Sequence, residues 1–503
     1  MVFANAAMAQ VSQRACDKRN NNTYQKLLQC IRIDQVREHQ AAFQAIADAN
    51  GGNRFAGHPG YDASVDYVAG KLDAAGYDVD VQEFDYLAFQ VLGPSALQQT
   101  APGTVTYVEN VDFGVIDQSD PGDVTAAVTA VDLQLGLGNT STSGCEASDF
   151  AGFPAGNIAL LQRGSCTFEL KAENAAAAGA VGIVIFNQGD TADPGRQGIP
   201  AVTLTANNTS GIPMLGTTYP LGATLAGTPG LMMRVFANTL REILPTSNVI
   251  AEKTGKNDDN VVMAGAHLDS VFEGPGINDN GSGSAALLEA AEQLANIKPQ
   301  NTMRFAWWGA EESGLIGSTN YVNGLSQAEK DRIALYLNFD MVGSPNYIFM
   351  TQDADQSSFV APVAVPAGST AIEDLFESFY TLKGEPYDDA AFDGRSDYQA
   401  FILNDIPAGG LFTGAEVRKT AEQQGIWGGI TGDQFDQCYH QACDTFGNVN
   451  LHALDVNADL IGFAALTFAH STETVNGVPG KRVPGQGKSE LPAPAGSQRT
   501  FVP

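Results

Sequence analysis

Positively charged residues are scarce in this sequence. Its 503 residues include 27 Lys and Arg against 57 Asp and Glu, so the formal net charge is −30 at pH 7. A surface with so little positive charge repels nucleic-acid phosphates and the headgroups of anionic membranes. We therefore exclude nucleic acid and anionic membrane surfaces as partners.

Long apolar runs are also lacking. The longest, residues 182–186 and 460–469, are far shorter than the ~20 residues of a membrane-spanning helix. Hydrophobic residues nevertheless make up 44% of the chain, which is enough for large cores, and the length exceeds that of one ordinary domain. We predict at least two globular units and no membrane span.

Cysteine is rare, and no CxxC zinc motif occurs. The close spacing of the six cysteines predicts three local disulfides, which form in an oxidising compartment. In addition, Ala7-Met8-Ala9 resembles the end of a signal peptide, although the apolar stretch before it is short. We expect an exported protein, extracellular or periplasmic, whose disulfides pair Cys16 with Cys30, Cys145 with Cys166, and Cys438 with Cys443.

Changes in composition along the chain predict five segments. Residues 1–32 are a polar N-terminal extension with a signal remnant, and residues 472–503, rich in Gly and Pro, are predicted to be disordered. Residues 33–94 and 238–471 are predicted to form one α/β domain in two parts. Residues 95–237, rich in short alternating strands, form a β-rich insert.

The second part of the α/β domain alternates strands with a helix. Strands are predicted at residues 261–266, 303–308 and 333–339, and a helix at residues 282–297. This order predicts an open, mostly parallel sheet flanked by helices. Polar residues follow the strands, at the sheet edge where such folds bind ligands.

Two candidate ligands lie near the first of these strands. His267 ends it, and Asp269 could stand behind the imidazole as a second-shell partner of a metal ligand. Asp279 lies in a glycine-bounded turn that opens a helix, where the helix dipole favours a carboxylate. Taken alone, His267 is more often a core residue and Asp279 a turn residue.

The later strands supply more candidates. Glu311 and Glu312 are adjacent, so their side chains can face different partners, and Asp340 closes an apolar strand. His440 lies inside the short loop that Cys438 and Cys443 would close. Two histidines and three carboxylates, with a fourth carboxylate as general base, suit a pair of divalent ions and a hydrolytic reaction. Mixed imidazole and oxygen ligands favour zinc as the metal.

These residues lie in strings that resemble the M28 family of zinc aminopeptidases, in the family's order. The strings are Ala266-His267-Leu268-Asp269-Ser270, Ile277-Asn278-Asp279-Asn280-Gly281-Ser282-Gly283, Phe305-Ala306-Trp307-Trp308-Gly309-Ala310-Glu311-Glu312, Asn338-Phe339-Asp340-Met341-Val342-Gly343 and Cys438-Tyr439-His440. The insert resembles a protease-associated (PA) domain, with Cys145–Cys166 as its disulfide. The resemblance implies a zinc-peptidase fold and a secreted enzyme that removes large hydrophobic N-terminal residues from peptides.

The resemblance also implies a role for each residue of the site. His267 and Asp340 would bind one zinc, Glu312 and His440 the other, and Asp279 would bridge them. Glu311 would be the general base, Asp269 would orient His267, and Tyr439 would donate to the oxyanion. A cis peptide bond is expected at Asp279–Asn280.

Further residues match less specific family positions. Arg395 and Phe412 would contact substrate, and Asp455 and Asp459 would help to hold a structural calcium ion. Three alternatives remain open. A carboxypeptidase of the same fold would need a basic pocket, a non-catalytic PA/M28-like binding protein would have lost ligands, and a serine hydrolase would need the Gly-x-Ser-x-Gly turn that Gly281-Ser282-Gly283 lacks.

Overall fold

The computed structural model describes residues 11–200, 204–205, 208–486 and 491–502. The proposed signal remnant at Ala7-Met8-Ala9 lies outside these residues. The α-helices are α1 Gln13–Cys16, α2 Tyr24–Leu28, α3 Ile33–Ala49, α4 Pro59–Ala75, α5 Phe168–Ala177, α6 Pro194–Gln197, α7 Tyr219–Ala226, α8 Gly281–Leu294, α9 Ile316–Gly324, α10 Gln327–Arg332, α11 Ser369–Lys383, α12 Tyr398–Ile402, α13 Ala421–Trp427, α14 Leu451–His470 and α15 Glu473–Asn476. The strands are β1 Asp78–Val91, β2 Ala96–Ala101, β3 Val105–Thr106, β4 Phe113–Val115, β5 Gly122–Ala130, β6 Ile158–Gln162, β7 Gly182–Phe186, β8 Met214–Thr217, β9 Met232–Ala237, β10 Thr239–Lys253, β11 Asn257–His267, β12 Asn301–Trp308, β13 Ile333–Phe339, β14 Met350–Gln352, β15 Asp388–Ala390 and β16 Ala408–Phe412.

The chain forms two compact units. The first contains Met1–Tyr86 and Pro245–Pro503, and the second contains Leu87–Leu244. The insert predicted at residues 95–237 lies within the second unit.

The first unit is built on an eight-stranded sheet in the order β1-β10-β12-β11-β13-β16-β14-β15. Its four central strands, β12, β11, β13 and β16, are parallel, while β10 and β14 run antiparallel to their neighbours β12 and β16. The parallel strands are buried almost throughout, as strands covered on both faces must be. The open, mostly parallel sheet expected from the sequence is confirmed.

Helix α14 packs in the core of this unit. It is long and apolar enough to cross a membrane by length and composition, but 72% of its apolar window is buried inside the unit. Packing against α8 and other core elements therefore accounts for its apolar character. Helix α3, residues 33–49, packs with one apolar face that includes the buried Val36, Phe43 and Ala47.

Both ends of the first unit are more ordered than the sequence suggests. The polar extension forms α1 and α2, and the Cys16–Cys30 disulfide links the last residue of α1 to the segment just after α2. The expectation of a disordered tail is wrong for the described part of residues 472–503. Val475, Val483 and Phe501 are buried against the core of the unit, and Asp388 accepts hydrogen bonds from the backbone N–H groups of Thr500 and Phe501.

The second unit carries an eight-stranded sheet in the order β3-β2-β9-β5-β6-β7-β8-β4. Strands β5, β6, β7 and β8 are parallel, and the remaining pairs are antiparallel. The short buried strands β6 and β7 form its core with α5 and α7. The Cys145–Cys166 disulfide closes a loop of this unit, with an S–S distance of 2.08 Å.

Candidate metal centre

The parallel strands of the first unit deliver their polar residues to one edge of the sheet. His267 is the last residue of β11, Glu311 and Glu312 follow β12, and Asp340 follows β13. Because the carboxyl ends of parallel strands meet at the same edge, these side chains converge there. Asp279 joins them from the turn before α8.

Asp279 stands between the two histidines. Its Oδ1 lies 3.3 Å from His267 Nε2, and its Oδ2 lies 3.3 Å from His440 Nε2. One carboxylate oxygen therefore faces each imidazole. The Asp279–Asn280 peptide bond is cis, as the family resemblance predicts.

Each histidine has a second carboxylate partner. His267 Nε2 lies 3.3 Å from Asp340 Oδ1, and His440 Nε2 lies 3.0 Å from Glu312 Oε2. A tetrahedral zinc ion with ligands at about 2.0–2.1 Å separates its ligand atoms by about 3.3 Å. We call His267 with Asp340 one half-site and His440 with Glu312 the other. The ligand atoms of both half-sites have about this spacing.

The donor set fits zinc on chemical grounds as well. Asp340 Oδ1 and Glu312 Oε1 are buried without a hydrogen-bond partner in the described part of the chain. Unpaired buried carboxylate oxygens are costly unless a cation satisfies them. Imidazole nitrogen mixed with carboxylate oxygen is a donor set that zinc accepts, so the residues present can hold two such ions.

His440 is positioned by its loop. The Cys438–Cys443 disulfide closes this loop, and the ring of Tyr439 stacks on the His440 imidazole at a centroid distance of 3.8 Å. His440 has a φ of 55°, in the left-handed region that few residues other than glycine adopt. The disulfide-closed loop thus holds the histidine in a conformation that a free segment would rarely adopt.

Glu311 lies beside the half-site of His267 and Asp340. Its Oε2 is 3.9 Å from His267 Nε2, and 8% of its surface is exposed. Burial, reinforced by nearby carboxylates, raises its pKa well above the ordinary range. A carboxylate with a raised pKa can take up a proton and hold it at neutral pH.

Asp269 makes contacts that the sequence did not indicate. The closest polar contact of His267 Nδ1 is the backbone oxygen of Asp269, at 3.1 Å, while the carboxylate oxygen Oδ1 lies 3.6 Å away. The Asp269 carboxylate accepts hydrogen bonds from the backbone N–H groups of Glu311 and Glu312, at 3.1 and 3.2 Å. This one residue therefore fixes both the imidazole and the pair of glutamates.

Other supporting residues were missed in the sequence. Asp444 accepts the backbone N–H of Asp279 at 2.9 Å, and Ser396 donates its hydroxyl to Asp340 Oδ2 at 2.6 Å. The buried Arg54 guanidinium donates to the carbonyls of Leu268, Pro275 and Gly276, so it holds the loop after His267. Ser396 lies in the string Gly394-Arg395-Ser396-Asp397-Tyr398, which is the one local signal that could have found it.

The centre lies in a pocket with a largely apolar wall. The apolar side chains that line it include Met341, Leu411, Phe412, Ala415, Val417 and Phe501. Arg395 is the one Lys or Arg side chain among the described residues that line it, and Glu416 pairs with it at 2.9 Å. A basic pocket for a substrate C-terminus, which a carboxypeptidase requires, is therefore lacking among these residues.

Arg395 also contacts the centre through Tyr439. Its Nη2 donates to the Tyr439 hydroxyl oxygen at 3.2 Å. Arg395 and Phe412 both line the pocket, Phe412 at the end of β16. Their contact with substrate stays a prediction.

The predicted calcium ligands have a different partner. Asp459 Oδ2 lies 2.7 Å from Lys383 Nζ, so the chain itself supplies a cation to this carboxylate. Asp455 is exposed on the same helix. The calcium assignment to these two residues is not supported by a converging donor set among the described residues and stays a prediction.

Comparison with known proteins identifies the family. The model for peptidase family M28 matches residues 248–465, and the PA domain model matches residues 124–225. An aminopeptidase of Pseudomonas aeruginosa (strain UCBPP-PA14) is 51% identical over 450 residues, which are 90% of this chain and 83% of that protein. Leucine aminopeptidase 2 of Trichophyton rubrum is 37% identical over 88% of this chain and 85% of its own length.

A solved structure agrees with these relatives. The zinc aminopeptidase BSAP from Bacillus subtilis superposes with a TM-score of 0.57 and 25% identity, over 87% of this chain and 95% of its own. The PA resemblance of the insert is confirmed by the family match. The chain therefore belongs to peptidase family M28 and is a hydrolase that carries a PA domain.

Proposed function

We propose that this protein is an exported two-zinc aminopeptidase that removes large hydrophobic residues from peptide N-termini. The observation that carries the proposal is the position of Asp279 between His267 and His440, each of which has one further carboxylate partner. Export is supported by the three disulfides, which persist in oxidising compartments. The names of the relatives support the aminopeptidase activity.

The two half-sites define which residues would hold metal. His267 and Asp340 would hold one zinc ion, Glu312 and His440 the other, and Asp279 would bridge them. When bound, zinc supplies a Lewis acid for the scissile carbonyl and lowers the pKa of a water molecule. Every other contribution comes from the side chains of the chain itself.

Glu311 handles the protons of the reaction. Its Oε2 takes a proton from the attacking water and later delivers that proton to the leaving amine nitrogen. Asp269 keeps the Glu311 backbone in place during both steps.

Tyr439 stabilises the charge that develops on the carbonyl oxygen. Because Arg395 donates to the phenol oxygen, the phenol hydrogen is available to donate into the pocket. Burial and the neighbouring carboxylates raise the pKa of Tyr439, so the phenol keeps its hydrogen.

The pocket recognises two features of the first substrate residue, its α-ammonium group and its side chain. The carboxylates around the centre attract the free α-ammonium group, which an N-acylated peptide lacks. The apolar wall that includes Leu411, Phe412 and Val417 accepts a large hydrophobic side chain. The leucine specificity in the name of the Trichophyton relative supports the same preference.

The test is the hydrolysis of leucine p-nitroanilide against its N-acetyl form. We expect cleavage of only the free-amine substrate, its loss on chelation, and its return when zinc is added back. Glutamate p-nitroanilide serves as the matched substrate for side-chain preference and should be cleaved much more slowly. Equal cleavage of the acetylated substrate, or activity that survives full removal of zinc, would contradict the proposal.

A further inference from the structure

A second group of carboxylates lies at the outer end of the first unit's sheet. This acidic cluster consists of Asp353, Asp355, Glu373, Glu377 and Asp389. Asp389 is on β15, the two aspartates follow β14, and the two glutamates are four residues apart on α11, hence on one face of that helix. Three elements thus bring five carboxylates together.

The oxygens of the acidic cluster are close. Those of Asp353, Asp355 and Glu373 lie within 4.8 Å of one another, and so do those of Glu373, Glu377 and Asp389. Glu373 belongs to both groups. An ion with ligands at about 2.3–2.6 Å spans oxygens up to about 5 Å apart, so both groups have the dimensions of a shared cation site.

No basic side chain among the described residues forms an ion pair with the acidic cluster, whereas Asp459 on the neighbouring α14 has Lys383. Burial and the mutual repulsion of the carboxylates raise the pKa of Glu373 to about 9 and that of Glu377 to about 7. Backbone N–H groups within residues 354–359 donate to Asp353, Asp355 and Glu373 and offset part of this charge. A cation would offset the rest.

Asp389 gives an independent indication of a ligand. Only 1% of this residue is exposed, and its Oδ1 has no hydrogen-bond partner in the part of the chain that the structure describes. Its Oδ2 accepts from the hydroxyls of Ser357 and Ser358, which leaves Oδ1 as the oxygen available to a ligand. A buried anionic oxygen without a partner is destabilising unless a cation satisfies it.

A neutral oxygen accompanies these carboxylates. Thr351 on β14 is the register partner of Asp389 on the parallel strand β15, so the two side chains lie on the same face of the sheet. Thr351 Oγ1 is likewise buried and unpartnered among the described residues. The donor set contains oxygen only, which favours a hard cation over zinc.

We propose that the acidic cluster binds one calcium ion, which fastens β15 and the loop after β14 to helix α11. Calcium accepts six to eight oxygen ligands in flexible geometry, as a set drawn from a strand, a loop and a helix requires. The site is separate from the zinc centre and from Asp455 and Asp459. It also supports the pocket, because Ala390, the residue after Asp389, lines the pocket wall.

The first experiment measures calcium binding by the full-length, zinc-reconstituted protein. Equilibrium dialysis with radioactive calcium in chelator-free buffer gives the stoichiometry, and thermal denaturation with and without millimolar calcium gives the stabilisation. We expect one calcium ion per chain and a midpoint raised by a few degrees. A wild-type protein that retains zinc but neither binds calcium nor responds to it would overturn the proposal.

Variants assign the binding to the cluster. Glu377→Gln, at a half-buried position, and Asp389→Asn should both abolish the response to calcium while zinc content stays unchanged. In calcium-free buffer Glu377→Gln should raise the denaturation midpoint above that of the wild type, because it removes repulsion between carboxylates. When calcium is added, the wild type should have the higher midpoint. If Asp389→Asn fails to fold, Glu377→Gln decides the question.

The matched control is the double variant Asp455→Asn/Asp459→Asn. It removes the same kind of charge from the neighbouring helix and should keep the full calcium response. A control that loses the response while Glu377→Gln keeps it would place calcium at the other pair and overturn the assignment to the acidic cluster.

Discussion

Both units carry an eight-stranded sheet with four parallel strands side by side, but they use the ends of those strands differently. In the first unit the strand ends carry His267, Glu312 and Asp340, and among the described residues one buried oxygen of each of the two carboxylates lacks a hydrogen-bond partner. In the second unit they carry Gln162 and Asn187, whose amides donate to the carbonyls of neighbouring loops. All groups of described residues that could hold a metal ion lie in the first unit.

In both units the parallel sheet brings residues together at the ends of its strands. The types of those residues decide whether they can bind a metal ion. An amide can both donate and accept hydrogen bonds, so the second unit closes its strand ends with its own backbone. In the first unit, buried carboxylate oxygens that lack such partners would be stabilised by a cation. The four changes below test this contrast.

The largest effect is expected for Glu311→Ala. Loss of the general base should lower kcat by about 10²- to 10⁴-fold while the fold and the zinc content are retained. The isosteric variant Glu311→Gln should show an equally large fall in kcat, because its amide cannot take up the proton. Steady-state kinetics with leucine p-nitroanilide and elemental analysis check both points, and retained activity would remove Glu311 from this role.

His440→Ala should change the metal content. We expect zinc to fall to about one ion per chain, with activity falling in parallel, because one half-site loses its imidazole. His452→Ala is the matched control, since His452 is also exposed and paired with a carboxylate, Glu385, at 3.2 Å. Full zinc occupancy in His440→Ala would show that His440 is not a ligand of the second zinc ion.

Arg395→Ala should give a smaller effect. Loss of its hydrogen bond to Tyr439 should lower kcat by about 2- to 10-fold, with KM little changed. Kinetics at several substrate concentrations separate the two parameters. A raised KM with unchanged kcat would instead mean that Arg395 acts by direct contact with substrate.

Asn187→Ala should leave catalysis unchanged. Its side chain donates to the carbonyls of Gly195 and Gly198, so its loss should destabilise the second unit by about 1–3 kcal/mol. Chemical denaturation measures the stability, and kcat/KM for leucine p-nitroanilide should equal that of the wild type. A fall in activity as large as that of Arg395→Ala would show that the second unit takes part in the reaction.

The sequence predicted the features that rest on local patterns. Strand β13 has its predicted bounds, residues 333–339, since a mostly apolar run fills the segment. The strand ends and their polar residues were found in the same way. The family resemblance then supplied the partners of each ligand, and the structure places His267, Asp279 and His440 side by side.

Contacts between distant parts of the chain could not be predicted. Arg54 holds the loop at Gly276, and Asp388 holds Thr500, in each case across a long sequence separation. Each contact is made by a single buried charged side chain, so no periodic sequence pattern predicts it. The tail was predicted to be disordered because it is rich in Gly and Pro. The sequence does not show that the Asp388 carboxylate contacts this tail.

The most direct test of the two-zinc centre is the anomalous scattering of zinc-reconstituted crystals at the zinc absorption edge. We expect two peaks about 3.5–4 Å apart, one on each side of the Asp279 carboxylate. One should lie beside His267 and Asp340, and the other beside Glu312 and His440. A single peak, or a second peak away from Asp279, for instance at His39, Glu289 and Glu292, would contradict the account.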